Sequence, residues 1–296
     1  MNLPALTEVD EALLRAWPLP PPAPDGDKED RGRVLVIAGS AEMPGAAIVA
    51  GIGALRAGAG KLVIATSRSA AQTVAGSVPE ARVIALPETS DGGLGMHALP
   101  LLQPLAGHVA AVLIGPGMVG REVTLALVQA LLPLLRDVPV VLDALAMDTV
   151  RSLRRFAQPV LLTPHAGEMA HLTGEEKEDL KEEPLAMARR AAAAWNAVVA
   201  LKGATTAIAR PDGTAWNHTL EVPGLGTSGS GDVLAGLVAG LAARGATLEQ
   251  AATWGVALHA RAGQALERRM GTLGYLAREL AGEVPALMHA LNPARG

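Results

Sequence analysis

The chain has 296 residues, enough for one large α/β domain or two small ones. Its formal net charge of −4, spread without a basic block, argues against nucleic acid as a main partner. The absence of cysteine excludes disulfides, thiolate catalysis and Cys-ligated zinc or iron–sulfur sites. Half of the residues are hydrophobic but only 2% are aromatic, so the core must be built from Ala, Val, Leu and Ile. That composition suits parallel strands covered by helices. No basic segment followed by an apolar run opens the chain, and no window of about 18 uncharged apolar residues suggests a membrane span. A cytoplasmic protein without membrane attachment is expected.

Residues 3–16 are predicted to form an amphipathic helix, with Leu6, Val9, Leu13 and Leu14 on one face. Thr7 and Asp10 offer a weak capping-box pattern at its start. Residues 17–32 carry five prolines and a charge cluster, and read as an extended arm crossing the surface. The core begins at Arg33, with a buried strand that ends in Gly39 and Ser40 and leads into a small-residue helix over 45–60. Strand, glycine turn and helix is a nucleotide-approach geometry. The dinucleotide fingerprint is absent here, however, and Gly60-Lys61 is no P-loop, because Leu55 and Leu62 occupy required Gly and Ser/Thr positions.

Further strands are expected at Lys61 and at Arg82. Residues 108–117 form another, running into Gly115-Pro116-Gly117. Carboxyl ends of parallel strands are where open α/β sheets bind ligands, although an ordinary tight turn accounts for this tripeptide equally well. A helix over 121–136 follows, then a strand with Asp143 at its exit, and another ending in Thr163-Pro164-His165 ahead of Glu168. Residues 174–184 are a dense charge run, read as a solvated loop and helix start. A helix and a strand then lead to Lys202-Gly203, and a hairpin turns at Pro211-Asp212-Gly213. Helices are expected over 231–243, 247–269 and 283–291. The motif-bearing segments show no composition break between them, and residues 1–296 read as one domain. His97, His108, His171, His218, His259 and His289 show no metal-ligand spacing.

The richest stretch is 226–232, Gly-Thr-Ser-Gly-Ser-Gly-Asp, immediately before an apolar helical run. A helix opening there aims unpaired N–H groups and its positive dipole end at the loop, making an anion site that glycine lets a phosphate approach closely. Asp232 stands in the first turn, placed either to cap the helix or to take a proton from an attacking hydroxyl.

Taken together, the motifs resemble the ribokinase-like superfamily, and more closely the ADP-dependent NAD(P)H-hydrate dehydratase family. The residues that carry the likeness are Gly39-Ser40 with Gly45-Ala46, then Gly115-Pro116-Gly117, then Thr163-Pro164-His165 with Gly167-Glu168. Leu201-Lys202-Gly203 with Thr205, and Gly229 with Gly231-Asp232-Val233-Leu234-Ala235-Gly236, complete the order. The resemblance implies a three-layer α/β/α sandwich with a mostly parallel central sheet. It implies an enzyme that uses ADP to phosphorylate the ring hydroxyl of NADHX or NADPHX, then expels phosphate to leave NADH or NADPH with AMP. In that chemistry Asp232 is the base, and the backbone of Gly229, Ser230 and Gly231 holds the phosphoryl charge. Ala46, Gly117, His165 and Asp232 would surround the hydrated dinucleotide. Lys202, Gly203, Ala204, Thr205, Thr206 and Gly231 would hold the adenine nucleotide. Mg²⁺ is expected, with Glu168 and Asp143 as candidates for its water shell, and so is a homotetramer. The length leaves no room for the epimerase domain fused to some relatives, so that activity is expected on a separate protein.

Two departures stand out. Leu145 occupies the position of a second family Asp, and Asp27 stands where relatives tend to have His before Lys28. Two alternatives stay open: a hydroxymethylpyrimidine- or sugar-type kinase using ATP with the same Asp and anion hole, and a nucleotide-sensing protein without turnover.

Overall fold

A computed structural model describes residues 4–21 and 25–292 of the chain, so the helix start expected at Leu3 and arm residues 22–24 lie outside the described residues. The strands are β1 (Leu6–Glu8), β2 (Arg33–Ile37), β3 (Lys61–Ser67), β4 (Arg82–Leu86) and β5 (Ala111–Ile114). β6 (Val140–Leu142), β7 (Val160–Leu162), β8 (Val198–Leu201), β9 (Thr205–Ala209) and β10 (Ala215–Thr219) follow. All ten join one sheet in the order β1-β10-β9-β8-β7-β6-β5-β2-β3-β4. Only β9 runs against the rest, pairing antiparallel with β8 and β10. The helices are α1 (Glu11–Ala16), α2 (Pro44–Arg56), α3 (Arg68–Ser77), α4 (Leu99–Leu102), α5 (Arg121–Leu131) and α6 (Val150–Leu153). They continue with α7 (Ala166–Thr173), α8 (Lys177–Glu182), α9 (Pro184–Trp195), α10 (Ser230–Ala243), α11 (Leu248–Met270) and α12 (Ala277–Leu291). None among the described residues is long and apolar enough to cross a membrane.

The strand sequences are apolar throughout because both faces are covered. Val34, Val36, Leu62 and Ile64 face a layer that includes α2, α10, α11 and α12. Their alternate neighbours Leu35, Ile37, Val63 and Ala65 face α5, α7 and α9 on the other side. The expected three-layer arrangement is therefore the one adopted.

The order of pairing places the ligand crevice. From β2 the chain steps to β3 and β4 on one side, then returns so that β5 pairs with the other side of β2. Such a reversal opens a crevice at the strands' carboxyl ends. Here Gly39 donates to Pro116 O at 2.7 Å and Gly115 to Ile37 O at 3.2 Å, which ties the two glycine turns together.

The N-terminal expectation needs correction. Residues 6–8 form not helix but an edge strand, pairing parallel with β10 through Leu6–Ala215 and Glu8–Asn217. The helix starts later, where Asp10 caps α1 by accepting from Leu13 N at 2.7 Å. An exposed sheet edge offered more backbone hydrogen bonds than a weak capping pattern. The arm lacks regular structure in its described part, as expected, yet it is well anchored. Trp17 stacks on Trp216 with centroids 5.5 Å apart. Arg244 donates to Pro20 O, and Trp254 to Trp17 O.

Almost every residue of α10 is buried, and glycine lets it lie against α2 at backbone distance. A Cβ added at Gly236 would come within 2.1 Å of Ala50 O, and one at Gly240 within 2.3 Å of Ala54 O. Gly236→Ala should therefore force the helices apart and cost about 1–3 kcal/mol, the usual range for overpacking. Urea unfolding checks this; an unchanged midpoint would mean that the two helices can part freely.

Candidate active site

Helix α10 presents the glycine-rich loop at the sheet's carboxyl edge. Gly229 takes the left-handed conformation (φ +87°) at the N-cap and contributes no side-chain cap. Ser230 N donates to Thr227 O at 3.2 Å, whereas the N–H groups of Gly231 and Asp232 find no backbone acceptor. Of the donors expected from the sequence, Ser230 N–H is therefore engaged within the turn, whereas Gly229 and Gly231, with Asp232 beside them, keep N–H groups without a backbone acceptor among the described residues. Free N–H groups at a helix start attract negative charge.

Three adjacent strands bring acidic and basic groups to the same place. Asp143 lies just beyond β6, His165 and Glu168 beyond β7, and Lys202 beyond β8. A parallel bridge joins His165 to Lys202, and Lys202 N donates to Pro164 O at 2.8 Å. The Lys202 ammonium lies 3.5 Å from Asp143 Oδ1 and 3.8 Å from Glu168 Oε2. Burial by itself would lower its pKa, but Asp143, Glu168 and Asp232 outweigh that and raise it. Lys202 is therefore a retained positive charge. Asp232 is pushed the other way. Burial, then the Asp143 carboxylate, lift its pKa to about 6 against the pull of Lys202, with Glu168 adding to the rise. That leaves a carboxylate able to accept a proton near neutral pH.

Each neighbour is fixed in turn. Thr163 Oγ1 donates to Asp143 Oδ1 at 2.6 Å. His165 caps α7: its Nδ1 accepts from Gly167 N and Glu168 N, while Glu168 Oε2 accepts from His165 N at 2.7 Å. Among the described residues, Asp143 Oδ2 and Glu168 Oε1 have no protein hydrogen bond. No group of three His, Asp or Glu side chains could cage a metal among the described residues. This donor set fits Mg²⁺ held mainly by phosphates and water, with one or two carboxylates assisting.

A cavity of about 610 Å³ opens beside Lys202. His165, Lys202, Gly203, Ala204, Thr206, Ser230 and Gly231, all singled out in the sequence, line it. Thr205 does not: strand alternation turns it away, and its hydroxyl meets Thr219 Oγ1 at 2.9 Å. Of the second predicted group, His165 lines this cavity, whereas Ala46, Gly117 and Asp232 do not. A Cβ at Gly117 (φ +64°) would meet Ala46 Cβ at 2.6 Å, so these two residues form one wall of the crevice. One turn along α2, Val49 Cγ2 lies 3.9 Å from a Cβ position at Gly229, which itself is 4.0 Å from Asp232 Oδ2. Gly115 is different, because its φ of +129° and its closeness to Asp143 O make it a packing glycine. Asp232 thus directly follows the cavity-lining Ser230 and Gly231, and its Oδ2 lies near the same Gly229 position that Val49 of α2 approaches.

Sequence reasoning missed half of the cavity wall. Val222, Pro223 and Leu225, with Leu234, Val256 and Ala260, form its apolar side, and His218 and His259 its buried polar groups. Both histidines are held neutral. Burial takes each down to about 4, helped by Arg261 at His218 and by Lys202 at His259. The one available signal was an apolar, proline- and glycine-broken segment directly upstream of the loop.

Residues 34–286 match the NAD(P)H-hydrate dehydratase family. The chain is 48% identical to the ADP-dependent (S)-NAD(P)H-hydrate dehydratase of Xanthomonas campestris pv. campestris, across 98% of this chain and 99% of that protein. It is 41% identical to the bifunctional NAD(P)H-hydrate repair enzyme Nnr of Moorella thermoacetica over 95% of its own length, but spans only 54% of that protein. Among solved structures it resembles the ADP/ATP-dependent NAD(P)H-hydrate dehydratase from Bacillus subtilis co-crystallized with ATP/Mg²⁺. There the TM-score is 0.83 at 32% identity, covering 98% of this chain and 99% of that one. A ribokinase-like superfamily protein from Enterococcus faecalis V583 gives the same TM-score of 0.83 at 25% identity, covering 98% and 99%.

The shifted carboxyl has a stability signature. Asp232 titrates at about 6 in the native state against an ordinary 3.8, so its ionised form is penalised by folding. The penalty is absent at low pH, grows between those two values and stays constant above about pH 6. Asp232→Asn should therefore raise the Tm at about pH 8 and leave it nearly unchanged at about pH 4. Thermal unfolding at both pH values checks this, and a lower Tm at the higher pH would contradict the assigned environment.

Proposed function

The chain belongs to the NAD(P)H-hydrate dehydratase family, and from that premise we propose how its site works. The enzyme is a hydro-lyase that dehydrates (S)-NADHX and (S)-NADPHX to NADH and NADPH, with ADP converted to AMP and phosphate. The observation that carries the assignment of roles is the position of Asp232. It sits in the first turn of α10, directly after the cavity-lining Gly231, with its Oδ2 near the Gly229 position that Val49 of α2 approaches, one turn from Ala46.

The adenine nucleotide occupies the cavity. Its base lies against Val222, Leu225, Val256 and Ala260, and its phosphates reach Lys202, Gly203 and the Gly231 N–H. The hydrated nicotinamide enters the crevice past Ala46, Gly117 and His165. Asp232 takes the proton from the ring hydroxyl as the hydroxyl oxygen attacks the terminal phosphorus of ADP. AMP departs, and the free N–H groups of Gly231 and Asp232 hold the charge on the moving phosphoryl group. The lone pair of the ring nitrogen then expels inorganic phosphate, and loss of a proton to water from the adjacent ring carbon re-forms the ring double bond. Mg²⁺, when bound, neutralises phosphate charge, and Asp143 Oδ2 and Glu168 Oε1 are the oxygens available to its water shell. The same proposal includes a cytoplasmic homotetramer working beside a separate epimerase.

Purified protein given NADHX, Mg²⁺ and ADP should regenerate the near-ultraviolet absorbance of the reduced nicotinamide ring, with AMP and phosphate as products. Regeneration with ATP alone would overturn ADP as donor. Failure with both would overturn the repair reaction and favour the hydroxymethyl kinase. Asp232→Asn should lower turnover by at least about a hundredfold while keeping ADP binding, the lower end for loss of a general base. For the wild type, kcat/KM should fall tenfold per pH unit below about pH 6 and level off above it, because the base must be ionised. Lys202→Ala should weaken ADP binding more than dinucleotide binding; equal losses in calorimetry would misplace the lysine.

A further inference from the structure

His259 projects from the middle of α11 into the cavity wall, between the apolar wall residues Val256 and Ala260, and only 8% of it is exposed. Its Nε2 lies 3.0 Å from Ser230 Oγ and also 3.0 Å from Ser230 O. A carbonyl oxygen only accepts, so the second contact is attractive only if Nε2 carries the proton. The opposite tautomer could accept from the Ser230 hydroxyl, but it would set the Nε2 lone pair against that carbonyl oxygen 3.0 Å away in a buried site. Burial keeps the ring neutral, so Nε2–H is its single N–H.

The consequence falls on Ser230. Facing an N–H donor, its hydroxyl oxygen can accept from His259 but cannot donate to it. Its backbone N–H is already given to Thr227 O. Two of its polar groups therefore fix the loop, and the hydroxyl proton is left for whatever fills the cavity that Ser230 lines. The N-cap, Gly229, has no side chain to hold the start of α10. The first turn is secured instead from the neighbouring helix.

We propose that His259 is a positioning residue: as its Nε2–H tautomer it clamps Ser230 and directs the Ser230 hydroxyl proton toward a phosphate oxygen of the bound nucleotide. This rests on the nucleotide occupancy of the cavity proposed above. Clamp and donor then work together, because the group that holds the loop also decides which way the hydroxyl points.

Two measurements test it. Ring-nitrogen NMR of ¹⁵N-histidine-labelled protein, with the His259 signals identified by their loss in His259→Gln, should show Nε2 protonated and Nδ1 bare. A protonated Nδ1 would overturn the proposal whatever the protein binds. Calorimetric titration with ADP gives the second readout. His259→Leu should weaken binding about tenfold, and His259→Gln, which keeps an N–H donor, should stay within about threefold of wild type. Ser230→Ala should also lose about tenfold, and the double variant with His259→Leu should lose less than the product of the two single losses. Equal affinity for the wild type and a folded His259→Leu protein, or fully independent losses, would overturn the clamp. Failure of the wild type itself to bind ADP would sink the functional proposal, and the NMR result would still decide the tautomer.

Discussion

One ammonium among three carboxylates sets the properties of this site. Lys202 lies within ion-pair reach of both Asp143 and Glu168, and Asp232 feels it as well. Taking such groups out of water is expensive, and one positive charge offsets only part of it. The remainder shows up where the burden can be shed, as a raised pKa on Asp232. Asp143 is held differently, by the Thr163 hydroxyl as well as Lys202. The three carboxylates thus differ in burial, charged neighbours and hydrogen bonds. Asp232, the proposed base, has no hydrogen-bond donor to its carboxylate among the described residues.

Sheet order brings these groups together. Asp143 and Lys202 are 59 residues apart in sequence. They meet because β6, β7 and β8 are consecutive and parallel in the sheet, so their carboxyl ends lie side by side. Helix α10 completes the arrangement from above the sheet. Gly236 and Gly240 let it lie on α2 at backbone distance, which puts Gly229 next to Val49 and near Asp232 Oδ2. The cavity-lining loop and the crevice wall on α2 are consequently referred to one rigid contact between two helices. A shift of that contact would move the base and both ligand walls together.

Much of this was legible in the sequence, and the physical reasons are particular. Gly39, Gly115 and Gly117 follow apolar strands, and a glycine there lets the chain turn sharply while another backbone or a ligand comes close. Lys202 and Asp232 stood out because Lys202 ends an apolar strand in a Lys-Gly step and Asp232 follows a glycine-rich loop at a helix start. The N-terminal strand was not readable, since Leu6, Thr7 and Glu8 carry no strand signal of their own and gain their conformation from β10. Ser230 N–H looks free in a helix-start pattern, which does not reveal that Thr227 O closes a turn beneath it. Thr205 and Thr206 read alike as neighbours, and only the pleat separates the one that lines the cavity from the one that does not.

The same limit applies to His259. A lone histidine in a long helix is most simply a packed core residue, and its spacing to other histidines says nothing of its role. What gives it a role is a second atom from a different helix, the Ser230 carbonyl, which restricts the imidazole to one tautomer. A neutral ring suits that task better than a charged one. An imidazolium would lie close to Lys202 and add a second buried cation, whereas a neutral N–H donor fixes the loop without altering the charge balance on which Asp232 depends. The anion loop is therefore held by uncharged donors, and its charge is concentrated in the single ammonium that faces the carboxylates.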